Sequence, residues 1–270
     1  MVANNGPRIA RLGNRGLVRV EGPDWRPFLH NLLTHDLEGL EPGRLRFAAL
    51  LTPQGKFLHD MFVLAEENAG VLDVQLGHRE ALIKRLELYK LRAKVSIKAV
   101  DGAVFAAWNG APGPGWVADP RLIELGWRRL GGAVEAEAAE DDYDAHRMAL
   151  GAPDPARDCT PDKTYPIEAD FDLLNGIDFR KGCFIGQETT SRMHRRGTVK
   201  TRMLPIVFEG APPQQGAEVL AGELRAGEVL SGRQGRAMAL LRLDRIAGAA
   251  LTVEGRPVRA QPPAWLAAAW

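Results

Sequence analysis

The chain has 270 residues, with 35 Lys and Arg against 34 Asp and Glu, for a formal net charge of +1 at pH 7. Its 45% hydrophobic and 26% charged residues are typical of a globular protein and exclude a disordered, collagen-like or coiled-coil chain. No apolar run approaches the roughly 18 residues of a membrane span, so no membrane association is expected. The 2 cysteines exclude a disulfide framework, and with no signal-peptide pattern they favour a reducing, cytoplasmic location.

The first half of the chain alternates between strand and helix patterns. Residues 8–12 and 17–20 predict two short strands that form a hairpin. Apolar residues at helical spacing from Trp25 to Leu33 predict a helix, with Asp24 as its N-cap. From Leu91 to Lys98, apolar and basic residues alternate, which predicts a half-buried strand with a basic outer face. The intervening runs predict strands over 46–51, 59–65 and 71–76 and a helix over 79–89.

Beyond Lys200 the chain becomes a series of short apolar segments separated by turns. This pattern predicts a small antiparallel β-barrel, covered in part by Trp265 and Trp270. The sequence therefore predicts two domains, over residues 1–200 and 201–270. Strands are predicted over 204–209, 219–220, 228–231, 238–243 and 251–253.

The most informative segment is Lys181 to Glu188, which reads Lys-Gly-Cys-Phe-Ile-Gly-Gln-Glu. The second glycine, Gly186, predicts a helix start, so Glu188 would lie in the first helical turn. The free N–H groups and the dipole of that turn favour an ionised carboxylate. Such a carboxylate suits a ligand with two adjacent N–H donors, and the edge of a pterin ring is one example.

Cations are concentrated around this segment. Between residues 180 and 202 there are seven cations against Glu188 alone, which suits an anionic ligand. The seven are Arg180, Lys181, Arg192, Arg195, Arg196, Lys200 and Arg202.

The octapeptide resembles the signature of the YgfZ/Caf17 family, folate-binding proteins related to the T-protein, the aminomethyltransferase (GcvT) of the glycine cleavage system. Three further segments are similar to motifs of the same family and occur in the expected order. They are Phe28 to Asp36, Leu51 to Asp60 and Tyr89 to Val95.

The resemblance implies an α+β, GcvT-like folate-binding domain with mixed and antiparallel sheets, followed by the small β-barrel. It also implies a role in iron–sulfur cluster assembly or repair that uses tetrahydrofolate, with assembly or client proteins as partners and linked effects on tRNA modification.

The resemblance also implies roles for individual residues. Glu188 matches the pterin-binding glutamate, Gln187 beside it is a further cofactor-binding candidate, and Arg202 matches an arginine on the folate side. Asp60 falls where aminomethyltransferases carry a pair of aspartates, one of them catalytic. This chain has His59 and Asp60 there, which argues against aminomethyl transfer.

Cys183 is the candidate reactive group. Its predicted position near a helix start, among cations, favours the thiolate, which could attack a substrate, exchange with a disulfide or supply one ligand to a shared cluster. It cannot hold a cluster alone, because such clusters usually need four ligands, and Cys159 is distant in sequence and interpreted as structural. No histidine spacing typical of a zinc site is present, so no resident metal is expected.

Two alternatives to the accessory factor remain. One is a folate-dependent one-carbon transferase like the T-protein, with Asp60 as acid or base. The other is an RNA-binding module that uses Arg192, Arg195, Arg196 and Lys200. Direct nucleic-acid binding is not expected, because the segment lacks interleaved aromatic residues.

Overall fold

The computed structural model of the protein describes residues 6–197 and 199–267. Numbered in chain order, the strands are β1 (Arg8–Leu12), β2 (Arg15–Glu21), β3 (Leu45–Leu51), β4 (Phe57–Ala65), β5 (Ala69–Gln75), β6 (Ser96–Val100), β7 (Val104–Trp108), β8 (Val117–Ala118), β9 (Trp127–Leu130), β10 (Thr201–Val207), β11 (Glu218–Ala221), β12 (Leu224–Arg233), β13 (Arg236–Arg242), β14 (Leu251–Val253) and β15 (Arg256–Ala260). The α-helices are α1 (Trp25–Leu32), α2 (Arg79–Lys90), α3 (Glu140–Ala149), α4 (Pro155–Asp158), α5 (Gln187–Arg196), α6 (Leu243–Ile246) and α7 (Ala264–Ala267).

The strands form two open sheets and a barrel. One sheet has the order β3-β4-β5-β2-β6, and the other has the order β1-β7-β9-β8. Strands β10 to β15 close into a barrel in the order β10-β13-β12-β11-β14-β15. This arrangement of antiparallel sheets, helices and a C-terminal barrel confirms the predicted α+β class.

The predicted N-terminal hairpin is wrong. Strand β2 pairs with β5 on one side and β6 on the other, while β1 pairs with β7 in the second sheet. Most of β2 is buried, as expected for a strand in the interior of a sheet. Because β5 and β6 occupy both edges of β2, no edge of β2 is free to pair with β1. The short connection at residues 13–14 therefore passes from one sheet to the other.

Helix α1 forms because its apolar residues fall on one face. Trp25, Phe28, Leu29 and Leu32 are buried in the cluster that also holds the inner face of the five-stranded sheet. Asp24 occupies the N-cap position as predicted, but its side chain makes no capping hydrogen bond.

The predicted strand over 91–98 is half wrong. Strand β6 begins only at Ser96, and the preceding residues form a turn and an irregular segment. Leu91 has a φ of +44°, which ends α2 and cannot continue into a strand. The alternation does match burial, since Val95 and Ile97 are buried while Lys94 and Lys98 are exposed, but the strand itself begins only at Ser96.

The barrel packs closely against the rest of the chain. Met203 and Met238 of the barrel share a hydrophobic cluster with Phe171 and with the outer face of β3 and β4. Trp265 packs against the barrel core and donates its Nε1–H to the carbonyl of Leu150 at 2.8 Å. Trp270 lies outside the described residues. The first barrel strand begins at Thr201, and the division into separate domains at residue 200 stays a prediction.

Candidate functional site

The signature segment forms a loop that leads into α5, and it is exposed at Gly182 and Cys183 but buried at Phe184 and Gly186. Residues 181–186 form neither strand nor helix, and α5 begins at Gln187 with Gly186 as its N-cap. The predicted helix start is confirmed, and Glu188 lies in the first turn. Cys183 is exposed. Its thiol is therefore accessible to a partner protein or a solute.

Lys181 attaches this loop to the end of α1. Its Nζ donates to the carbonyl oxygens of His30 and Leu33, the latter at 2.6 Å. These carbonyls belong to the last turn of α1, where acceptors lack helical partners and a cation is favoured. Burial lowers the pKa of Lys181 to about 8, while the neighbouring carboxylates act in the opposite direction. The ammonium group thus holds the loop that carries Cys183, and it is not available to an external anion.

The turn between β3 and β4 touches the start of α5. A Cβ on Gly186 would lie 2.7 Å from the carbonyl oxygen of Thr52 and 2.8 Å from the Cα of Gly55. Both glycines have positive φ angles, +81° for Gly186 and +80° for Gly55. The close approach of the two backbones requires glycine on both sides. Two motifs that lie far apart in the sequence therefore form one structure.

Thr34 connects the first-helix motif to the same region. Its Oγ1 donates to the carbonyl of Gly176 at 2.6 Å and accepts the N–H of Ala49 at 2.8 Å. The N–H of Asp178 donates to the Thr34 carbonyl at 3.0 Å. The side chain is fully buried. The N–H of Thr34 also donates to the carbonyl of Ala49 at 3.0 Å. Thr34 thus joins the end of α1 to strand β3 and to the segment that precedes the signature loop.

Glu188 and Gln187 line an open cleft of about 480 Å³ on α5. The Glu188 carboxylate accepts a hydrogen bond from Arg192 at 2.7 Å, and its side chain is 88% exposed. On the cleft wall, the rings of Phe179 and His194 stack with centroids 3.7 Å apart. The cleft can admit a bicyclic ring, and the carboxylate can exchange Arg192 for two N–H donors. This end of the predicted site fits the pterin of tetrahydrofolate.

Asp60 lies elsewhere, in a buried ionic network. Its Oδ2 accepts from Nη1 of Arg15 at 2.8 Å, Arg15 also pairs with Asp73 at 2.6 Å, and Asp73 binds Arg128 at 2.5 Å. The cavity beside these groups has about 30 Å³, which suits a water molecule and not a pterin. Asp60 is absent from the lining of the α5 cleft. The structure therefore does not bring Asp60 and Glu188 into one site.

Arg202 is also committed inside the protein. Its Nη1 and Nη2 pair with Asp170 and Asp172, both at 2.8 Å, and Nη1 also donates to the carbonyl of Ile167 at 3.0 Å. The residue is 3% exposed and is absent from the lining of the α5 cleft. Its role as a folate-side arginine stays a prediction. Because Arg202 and Lys181 both pair with groups inside the protein, neither contributes to the predicted surplus of cations available to a ligand. The other five cations of that surplus are exposed.

The two cysteines differ in environment. Cys159 is buried, and burial raises the pKa of its thiol well above the ordinary value. Within residues 6–197 and 199–267 there is no group of three or more His, Cys, Asp or Glu side chains that could hold a metal ion. Cys183 is thus the thiol that can act at the surface, and the described part of the chain offers it no companion ligands.

The amino-acid sequence is similar to proteins of known family. A profile described as "CAF17, C-terminal beta-barrel domain" matches residues 200–268. The chain is 32% identical over 278 residues to the human protein named "Iron-sulfur cluster assembly factor IBA57, mitochondrial", covering 88% of this chain and 78% of that protein. The chain belongs to the IBA57 family.

Other comparisons agree with this family and with the fold. The IBA57 homolog of Neurospora crassa is 30% identical, and the alignment covers 82% of this chain but only 58% of that longer protein. The crystal structure of the glycine cleavage system aminomethyltransferase T from Bartonella henselae superposes with a TM-score of 0.76 at 18% identity, covering 96% of this chain and 85% of that one. The latter likeness confirms the predicted T-protein-like fold.

The predicted cytoplasmic location is contradicted. The IBA57 relatives from human, mouse and Neurospora crassa are all named as mitochondrial proteins. The prediction relied on low cysteine content, which reports a reducing environment and does not say which compartment provides it. Among the helices of the described residues, none is long and apolar enough to cross a membrane.

Sequence alone does not reveal several residues of this candidate site. The sequence places Lys181 among the cations of the local surplus and gives no sign of the stack of Phe179 on His194. A signal for Lys181 was present, since α1 ends at Leu32, followed by Leu33 and Thr34, without the glycine or asparagine that usually satisfies the last carbonyls. A helix end of that kind needs a donor from another part of the chain.

Proposed function

We propose that the protein is an accessory factor in iron–sulfur cluster assembly, in which Cys183 supplies one thiolate ligand to a cluster that a partner protein carries or receives. The supporting observation is an exposed thiol on a loop that Lys181 and Gly186 hold against the body of the fold. Because iron–sulfur clusters usually need four ligands and Cys159 is buried, the remaining ligands come from the partner. Membership of the IBA57 family supports the same role.

The test is complementation of a deletion strain, scored by the activities of several cluster-containing enzymes. Cys183→Ser is expected to fail, while Cys159→Ser, the matched control, restores activity. Immunoblotting ensures that both variants accumulate to the wild-type level. Full restoration by Cys183→Ser would reject the role of this thiol.

Tetrahydrofolate is the second candidate ligand, and the α5 cleft supports it. Glu188 and Gln187 would hold the pterin edge, and Arg195, which lines the same cleft, would face the carboxylates of the glutamyl tail. When bound, tetrahydrofolate supplies a carrier for one-carbon units. Asp60 is engaged by Arg15, which gives no support to the one-carbon transferase alternative.

Calorimetric titration of tetrahydrofolate tests this cleft. Glu188→Ala should lose about 2–3 kcal/mol of binding free energy, because a charged pair of hydrogen bonds is removed. Glu223→Ala, a change at another exposed glutamate, serves as the control. Equal affinities for the wild type and Glu188→Ala, or no binding to either, would contradict the proposal.

RNA binding by the cations of α5 has less support. Among the residues that line the α5 cleft, Phe179 is the one Phe, Tyr or Trp, and His194 stacks on it, whereas single-strand binders present several aromatic rings to successive bases. The affinity of the wild type for a single-stranded RNA at two salt concentrations would reveal any such activity, since phosphate contacts weaken steeply with added salt.

A further inference from the structure

The end of α2 exposes two leucines. Leu88 is 74% exposed and Leu91 is 90% exposed, and they lie about one helical turn apart. Leu91 lies within the Tyr89–Val95 motif, and Leu88 directly precedes it. The candidate site described above does not use this motif. A single exposed apolar side chain is normal on a protein surface, whereas two leucines one turn apart form a small apolar patch of the kind that marks an interaction site. We name Leu88, Leu91, Lys84, Arg92 and Lys94 the α2 tip.

The exposure of Leu91 is built into the fold. Its φ of +44° lies in a region that L-residues other than Asn and Asp rarely adopt. The segment is held from both sides, because the N–H of Lys94 donates to the carboxylate of Asp24 at 2.7 Å and a Cβ on Gly22 would collide with the carbonyl oxygen of Lys94. The surrounding contacts therefore fix a strained backbone that presents a leucine to solvent.

The charge around the leucines is strongly positive. From residue 79 to residue 98 there are seven cations and two acids, in a chain whose net charge is +1. One acid, Glu87, pairs with Lys90 at 3.6 Å. The exposed cations Lys84, Arg92 and Lys94 form no ion pair with any residue that the structure describes. The leucines thus lie within a cationic rim.

We propose that the α2 tip is a docking surface for a protein partner that offers an apolar pocket with an acidic rim. An apolar centre surrounded by a polar rim is the usual arrangement of a protein–protein interface, and complementary charge steers the partner onto it. Two leucines alone bury too little apolar surface to hold the chain on a bilayer. The inference rests on the proposed function, because cluster assembly requires a partner. The partner would contact the α2 tip, which lies on a different element from Cys183.

Four forms of the full chain are immobilised: the wild type, Leu88→Ser/Leu91→Ser, Lys84→Glu/Arg92→Glu and Ile123→Ser. Each form is exposed to an extract of the source organism, and the proteins that it retains are compared. Ile123 is 86% exposed on another part of the surface and is the matched control. A partner that is retained by the wild type and the control is then purified and titrated against all four forms. Circular dichroism checks that the exposed substitutions leave the fold intact.

We expect the leucine and charge-reversal variants each to lose at least tenfold in affinity for that partner, and the wild-type affinity to fall with added salt. Retention of every partner by the leucine variant would overturn the inference. So would leucine-dependent binding to vesicles of phosphatidylcholine and phosphatidylserine, or leucine-dependent self-association in sedimentation velocity. Cys183→Ser separates the two proposals, because it should abolish cluster-enzyme activity while the α2 tip still binds the partner.

Discussion

At the scale of single residues, Lys181 shows how a charged side chain can serve structure at a functional loop. Its ammonium caps the carbonyls of His30 and Leu33 at the end of α1. Lys181→Met leaves those acceptors without a donor, so the free energy of unfolding should fall by about 1–3 kcal/mol. Urea denaturation measures this loss, and faster trypsin cleavage after the exposed Arg180 should accompany it. The control, Lys200→Met, changes an exposed lysine and should alter the free energy of unfolding by less than about 0.5 kcal/mol. Equal losses in Lys181→Met and Lys200→Met would contradict the capping role of Lys181.

His59 gives a prediction about pH at the same scale. Burial, with His78 and Arg85 nearby, lowers the pKa of His59 from 6.5 to about 4. Between pH 6.5 and 4 the unfolded chain binds a proton there that the folded chain does not, so the free energy of unfolding should fall as the pH falls. This contribution amounts to about 2 kcal/mol after allowance for partial exposure. His59→Gln should flatten that part of the pH profile in urea titrations. An unchanged slope in this variant would count against the assignment.

At the scale of elements, the contact between the β3–β4 turn and α5 depends on a residue without a side chain. Gly186→Ala adds a methyl group against Thr52 and Gly55 at a φ of +81°, and it should destabilise the fold by about 2–4 kcal/mol. Gly182→Ala is the matched control in the same octapeptide, because a Cβ there meets nothing within 4 Å. Thermal unfolding of the two variants compares them directly. If Gly182→Ala proved as harmful as Gly186→Ala, steric contact would not explain the pattern.

The same elements show what sequence alone can predict. The start of α5 and the first-turn position of Glu188 followed from Gly186, because local backbone preference decides a helix start. Which sheet β1 joins could not follow from local pattern, since it depends on the edges of β2 being occupied by β5 and β6. For the same reason the sequence could not show that Asp60 and Glu188, both named as candidate site residues, line separate cavities.

At the scale of the whole molecule, contacts tie the barrel to the rest of the chain. Asp158 of α4 accepts the hydroxyl of Ser231 of β12 at 2.5 Å and also lies 3.5 Å from Arg147 of α3. A shared hydrophobic cluster joins Met203 and Met238 to Phe171. Neither side can lose its structure without exposing apolar surface or a buried charge on the other. The chain is therefore expected to unfold in one cooperative transition despite its two predicted domains.

Arg202 provides the test of that cooperativity. Arg202→Leu leaves Asp170 and Asp172 buried without their cation, which should lower the free energy of unfolding by about 3–5 kcal/mol. Calorimetry should still show a single transition at a lower midpoint, and hydrogen exchange should accelerate in β2 as well as in β12. Arg242→Leu removes a solvent-exposed pair with Asp244 and should leave the midpoint almost unchanged, because water screens such pairs. Two resolved transitions, of which the variant lowers only one, would show that the barrel is an independent folding unit.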